Sequence, residues 1–180
     1  MGITQKKMKF KSPTYGELVL KEVVHIMGQF VKEKPEAEYR FYVGTDSMPS
    51  GDKTVFAMAV AVHREGNGCI YFYSQKLETR PLDFVSRIYQ EATYSHDLAR
   101  MLKKEDKFQE LDMLCQDNSN MTIHIDTGEN GKTKEVLAGI MGMVRVRGYG
   151  CEAKPYSFVA NCIADRHSKY LAGDTIAFSM

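Results

Sequence analysis

The chain has no tryptophan, and only five prolines and four cysteines among its 180 residues. Without tryptophan, stacking on any planar ligand falls to ten tyrosines and nine phenylalanines. The 14 glycines and few prolines follow no period, which excludes a collagen-like or fibrous chain. Cys69, Cys115, Cys151 and Cys162 lie far apart, and none forms the Cys-x-x-Cys spacing that closes a zinc site. They read as free thiols of a reducing compartment, so a cytoplasmic location is expected. No apolar run reaches the ~18 residues that span a membrane, and residues 1–11 lack the apolar stretch of a secretory signal. Charge excess is missing too. Lys plus Arg total 24 against 23 Asp plus Glu, leaving +1. That balance argues against a charge-coated nucleic-acid binder and against an acidic tail protein. What remains is ordinary: 43% apolar and 26% charged residues, enough to bury a core.

Periodicity divides the chain. Leu18, Val23, Ile26, Met27, Phe30 and Val31 predict a helix over residues 14–34, capped by Ser12 or Thr14 and stopped at Pro35. Lys6, Lys7, Lys9 and Lys11 before it read as a solvated arm. Three strand-like runs follow, at 39–46, 54–63 and 69–76. The gaps between them are too short for a crossover, so they form an antiparallel meander. The period then becomes helical over 81–104, with Pro81 in its first position and Thr79 as cap. Residues 121–126 form a short strand, 131–146 a helix ended by Gly148, and 150–155 a weak strand. The last helix runs over 158–171, capped by Ser157 and ended by Gly173. The expected architecture is α/β: a mixed five-stranded sheet, three strands antiparallel and then two parallel, flanked by helices. One domain over 1–180 is expected, with an arm and extra N-terminal helix at 1–36 and a core at 37–172.

Four acids stand where a bland explanation is strained. Asp46 ends the first meander strand, directly after Val43-Gly44-Thr45. Glu91 lies inside the apolar line Phe84, Ile88, Ser95, Leu98, Leu102, where a carboxylate is costly unless paired or bound to a cation. Asp126 ends the apolar strand Ile123-His124-Ile125, at the kind of strand end where ligand crevices form. Asp165 sits mid-helix, a poor place for aspartate. Taken singly, each has an alternative: a turn, a helix rotated toward solvent, a cap, a surface ion pair. Glu78, Asp83 and Asp97 read more plainly, as a strand end, a first-turn charge and an exposed flank. Together the four make a cluster able to hold two divalent ions ~4 Å apart, and oxygen-only ligands favour Mg²⁺ or Mn²⁺ over zinc.

With Gly44-Thr45-Asp46-Ser47 on the first strand, Glu91 on the following helix, Ile123-His124-Ile125-Asp126-Thr127 on the fourth strand and Ala164-Asp165-Arg166-His167 on the last helix, the chain resembles the ribonuclease H-like superfamily. The resemblance covers about 39–171, and is narrower to an uncharacterised bacterial family of that fold. It implies a metal-dependent phosphodiesterase core acting on nucleic acid. Asp46 would bridge two ions, Glu91, Asp126 and Asp165 would complete them, and His167 would ligate or assist product release. The Asp-x-Glu of proofreading exonucleases is absent, since Met48 takes the Glu place, and no basic handle for hybrid duplex is recognisable.

Around such a site Lys132, Lys134, Arg145, Arg147, Arg166 and Lys169 could neutralise phosphates, and Tyr42, Tyr71, Phe72 and Tyr73 could stack bases, although strand aromatics usually serve packing. Gly131-Lys132-Thr133 imitates the end of a phosphate-binding loop, but Asp126 stands where the first glycine is needed. His124 and Asp126 share a strand face without the third close ligand of a zinc hydrolase. The rival to a nuclease is a non-catalytic nucleic-acid-binding or assembly module on the same fold.

Overall fold

The computed structural model describes residues 8–114, 121–128 and 133–169. The chain enters as a hairpin, β1 (Lys9–Ser12) and β2 (Gly16–Val19), joined by Pro13-Thr14-Tyr15 with Gly16 at φ 72°. Only glycine takes that left-handed conformation without strain. Alternation turns Phe10 fully inward and Lys9 outward. The expected solvated arm is therefore partly a strand at 9–12, and the expected helix over 14–34 gives up its first turns to β2. The helix itself is α1 (Leu20–Lys32); its Glu22 carboxylate accepts the Val19 N–H at 2.8 Å, which closes the helix start without Ser12 or Thr14.

β3 (Tyr39–Ser50), β4 (Lys53–Arg64) and β5 (Cys69–Glu78) form the expected antiparallel meander. Two long helical stretches of sequence follow as α2 (Phe84–Lys103) and α3 (Asp106–Leu114), the second not anticipated. α2 starts later than predicted: Asp83, rather than Thr79, caps it, accepting from the N–H groups of Val85 and Ser86 at 3.0 Å each. β6 (Met121–Ile125), α4 (Thr133–Val146) and β7 (Gly150–Ala153) continue the chain, with Gly148 at φ 81° ending α4. The predicted last helix is a π-helical segment (Val159–Ala164) running into a short α5 (Asp165–Ser168). Ser157 caps it by its main chain only: its carbonyl accepts from Ala160 and Asn161, while its hydroxyl is buried without a hydrogen bond. The predicted stop at Gly173 lies outside the described residues.

The sheet has seven strands, not five, in the order β2-β1-β5-β4-β3-β6-β7. The two extra strands are the N-terminal hairpin added beyond β5; β6 runs parallel to β3 and β7 parallel to β6. One face carries the large core. Phe41, Val43, Phe56, Met58, Val60 and Phe72 pack there with Val23 and Met27 of α1, Leu98 and Leu102 of α2, and Ile140 and Val144 of α4. The other face is built from small residues. Ala57, Ala59 and Ala61 of β4 lie beside Gly44 of β3, and the π-helical segment settles onto them through Val159 and Ala164. A Cβ on Gly44 would stand 2.7 Å from the main-chain nitrogen of Ala160. Only glycine permits that approach. It brings the start of α5 down onto the ends of the central strands. Among the described residues no helix is long and apolar enough to cross a membrane.

Candidate functional site

Sheet register sets a polar row across the small-residue face. Asp46 of β3 pairs with Ala57, and Ala57 with Gln75. On the other side the last β3–β6 pair is Thr45 with Ile125, and the last β6–β7 pair is Ile125 with Ala153. One residue further along each strand places Asp46, Asp126 and Lys154 in succession on the same face. The pairing is direct at one point: Lys154 Nζ lies 2.8 Å from Asp126 Oδ1. α5 stands over this row. Ser168 donates its hydroxyl to Asp46 Oδ2 at 2.5 Å, Gln75 donates to the His167 carbonyl at 2.6 Å, and Asp165 holds Lys169 Nζ at 2.6 Å.

Glu91 arrives from the opposite face. Thr45 and Ser47 alternate toward α2, where Ser95 donates to the Thr45 hydroxyl at 2.8 Å and Ser47 donates to Glu91 Oε1 at 2.5 Å. Arg87, one turn earlier, donates to the Ser47 carbonyl at 2.8 Å. The end of β3 is thus gripped from both sides, with Asp46 and Glu91 on either side of one stretch of backbone.

The electrostatics join the four acids. Burial pushes the Asp46 carboxyl up to about 6, opposed by the Ser168 hydrogen bond and reinforced by the charges of Asp126 and Asp165. Burial pushes Glu91 up to about 8, opposed by the Ser47 hydroxyl and Arg87 and reinforced by Asp46 and Asp126. Asp46 and Glu91 are 8% and 7% exposed. Serine hydroxyls hold both, and with Arg87 near Glu91 they offset only part of the cost of burying their charge. Asp126 and Asp165, which are more open, each carry a lysine. Among the described residues no group of three Asp, Glu, His or Cys side chains is arranged to hold a metal ion. The donor set nonetheless fits one by chemistry: it is all oxygen, and two of its carboxylates are pushed toward the protonated form by burial and by neighbouring negative charge, a cost that a hard divalent cation relieves.

The structure therefore brings Asp46 within electrostatic reach of Asp126 and Asp165, and Glu91 within reach of Asp46 and Asp126, and sends the His167 ring elsewhere. That ring stacks on Tyr73 at 3.5 Å between centroids and 5° between planes, with Tyr71 tilted beside it at 6.0 Å. Tyr73 belongs to β5, two strands from β3 and so ~10 Å across the sheet at ordinary strand spacing. The His167 Nε2 is buried without a hydrogen bond, and burial with nearby Arg166 pulls the His167 pKa down to about 4. The aromatics expected to stack bases are occupied as well. Phe72 is core, Tyr73 carries His167, and Tyr42 is packed between His124 and Phe158. Asp97, expected on an exposed flank, is buried at 7% beside His96 and Arg100. Lys132 and most of the Gly-Lys-Thr loop lie outside the described residues.

Two residues were missed from sequence. Ser168 had no signal beyond its place one turn after Asp165. His124 was considered only as a metal ligand, yet it is a buried anchor. Its Nδ1 accepts the Val159 N–H at 3.1 Å, which leaves the proton on Nε2, 3.2 Å from Glu152. Burial pulls its pKa down to about 4, so the ring is neutral and can accept that bond.

A mixed α/β sheet with one acid on β3 and another just past the end of the parallel strand β6 beside it defines a class, and the comparisons give it a family. The chain belongs to the ribonuclease H-like family, whose description, "Ribonuclease H-like", matches residues 22–169. It is similar to "Uncharacterized protein YkuK" of Bacillus subtilis (strain 168), with 26% identity over 166 residues, covering 89% of this chain and 96% of that protein. No solved structure matches it.

Proposed function

We propose that the protein is a divalent-metal-dependent nuclease, hydrolysing phosphodiester bonds of nucleic acid at the Asp46, Glu91, Asp126 and Asp165 cluster. One observation carries the reading. Buried Asp46 feels the charges of Asp126 and Asp165, buried Glu91 those of Asp46 and Asp126, and among the described residues neither buried acid forms an ion pair. A folded protein keeps such incompletely compensated charge where it has a use for it. Mg²⁺ or Mn²⁺ would be held by these four side chains and, when bound, supplies an activated water and charge neutralisation at the leaving oxygen. The chain's own residues do the rest. Ser47 and Ser168 orient the buried carboxylates, Arg87 fixes the backbone between them, and Lys154 and Lys169 balance the outer pair until a cation arrives. His167 is left out of the ligand set because its ring is stacked on Tyr73.

The second reading, a nucleic-acid-binding or assembly module without catalysis, is favoured by the lysines already seated on Asp126 and Asp165. Calorimetric titration of Mn²⁺ into wild type and Asp46→Asn, with cleavage assays on single-stranded, duplex and hybrid substrates, separates the two. The nuclease reading expects metal binding and metal-dependent cleavage that Asp46→Asn abolishes. Cleavage that survives Asp46→Asn, or a wild type that binds no metal, sinks it.

A further inference from the structure

A cavity of about 700 Å³ opens beside β7, the edge strand next to the carboxylate row. That size lies within the ~300–1,000 Å³ of pockets that seat small organic groups. Met141 of α4 and Cys151 give it an apolar side, Gly128 a wall without a side chain, and Glu152, Lys154 and Tyr156 a polar rim. Tyr156 is 75% exposed, the most exposed aromatic ring among the described residues. It is not on a loose end: its N–H donates to the Ala153 carbonyl at 2.9 Å, so the turn that carries it is closed onto β7. Lys154, in the same turn, reaches out of the cavity rim to Asp126 at 2.8 Å. One side chain therefore belongs to both the cavity and the acidic row.

We propose that this cavity is a nucleoside subsite for single-stranded nucleic acid, seating the residue that flanks the cleaved phosphate. The assignment rests on the nuclease reading for its position, but on the cavity, Tyr156 and Lys154 for its chemistry. A base enters with its face against Tyr156 and its edge over Met141 and Cys151. The adjoining phosphate takes Lys154. In the structure Lys154 is the counter-ion of Asp126; a divalent cation on Asp126 repels the ammonium group and frees it for phosphate. Strand binding and metal binding at Asp126 thus favour each other, as linkage requires. The occupant is a single strand because an exposed ring can stack only on a base face that is not already stacked within a duplex.

The test is fluorescence anisotropy of a labelled six-nucleotide single strand, as DNA and as RNA, with the full chain in EDTA and in Ca²⁺. Stacking by one aromatic predicts about a tenfold loss of affinity in Tyr156→Ala, largely restored in Tyr156→Phe. Lys154→Met should weaken binding in Ca²⁺, lowering the salt slope by about one, and change little in EDTA, where the lysine is held by Asp126. A blunt duplex of equal length should bind more weakly than the single strand. Wild-type affinity in Tyr156→Ala, or a Lys154→Met loss that is equal in EDTA and Ca²⁺, overturns the proposal while leaving the nuclease reading standing. Tyr156-dependent strand binding without metal-dependent cleavage does the reverse. Tyr156 is exposed, so its variants fold, and thermal unfolding confirms it.

Discussion

Glu91 offers the sharpest quantitative test. Its carboxyl is pushed from an ordinary 4.5 up to about 8 in the folded protein. The folded state then keeps a proton that the unfolded chain has already released. The stability this contributes is fully present below pH 4.5 and is lost as pH climbs through 8. Between pH 6 and pH 8 the linkage relation gives a loss of about 2 kcal/mol from this residue alone. Asp46, raised only to about 6, has spent most of its own effect by pH 6 and adds little above it. At ~2–4 °C per kcal/mol for a chain of this size, wild type in EDTA should melt about 4–8 °C lower at pH 8 than at pH 6. Glu91→Gln keeps an oxygen to accept from Ser47 and cannot ionise, so its melting temperature should stay nearly flat over the same interval. Differential scanning calorimetry of both proteins in EDTA decides the matter. Parallel pH profiles for wild type and variant would refute the reasoning, because they would mean that Glu91 is not buried as an incompletely compensated acid. The variant should also lose Mn²⁺ affinity in calorimetry even where it melts higher.

Gly44→Ala should destabilise by ~1–3 kcal/mol, since its Cβ would meet the Ala160 nitrogen at 2.7 Å and no flexible group can yield; urea unfolding measures it. His124→Phe preserves the ring volume against Tyr42 and Phe158 but orphans the buried Val159 N–H, costing ~1–3 kcal/mol by the same method. Lys169→Met removes the cation 2.6 Å from Asp165 and should tighten Mn²⁺ binding severalfold in calorimetry, since this lysine then no longer competes for the carboxylate.

The parts of the fold legible in the sequence were those with long, unambiguous periods. β3 to β5 announced themselves by runs of β-branched and aromatic residues cut by turn residues, and α2 and α4 by apolar stripes. The N-terminal hairpin did not, because a four-residue strand that turns Phe10 inward amid lysines carries almost no pattern. Its sequence also ran smoothly into the apolar spacing of α1. At the site, Asp126 was readable as an acid closing an apolar strand and Glu91 as an acid inside an apolar stripe; Asp46, expected at a strand end, lies inside β3, which continues to Ser50. His167 was misplaced because the last segment is π-helical for six residues before α5 begins. The wider π turn shifts the faces of every residue after it relative to a regular α-helix. Ser168 therefore meets Asp46, and His167 swings over β5. Asp97, a charged residue on a helix, gives no local sign of burial, yet it is buried beside His96 and Arg100 of the same helix.

The seating of the π-helical segment on Gly44 has a further consequence. Where two elements meet through side chains, rotamers absorb small errors and the separation can drift. Here main chain rests on main chain, with a single missing Cβ as the clearance. The spacing between the strand that carries Asp46 and the segment that leads to Asp165 is therefore a property of the backbone, like the gauge of a track laid on fixed sleepers. Substitutions elsewhere on the surface can restyle what the cleft admits, yet the distance across which two of its acids face each other stays as the glycine leaves it.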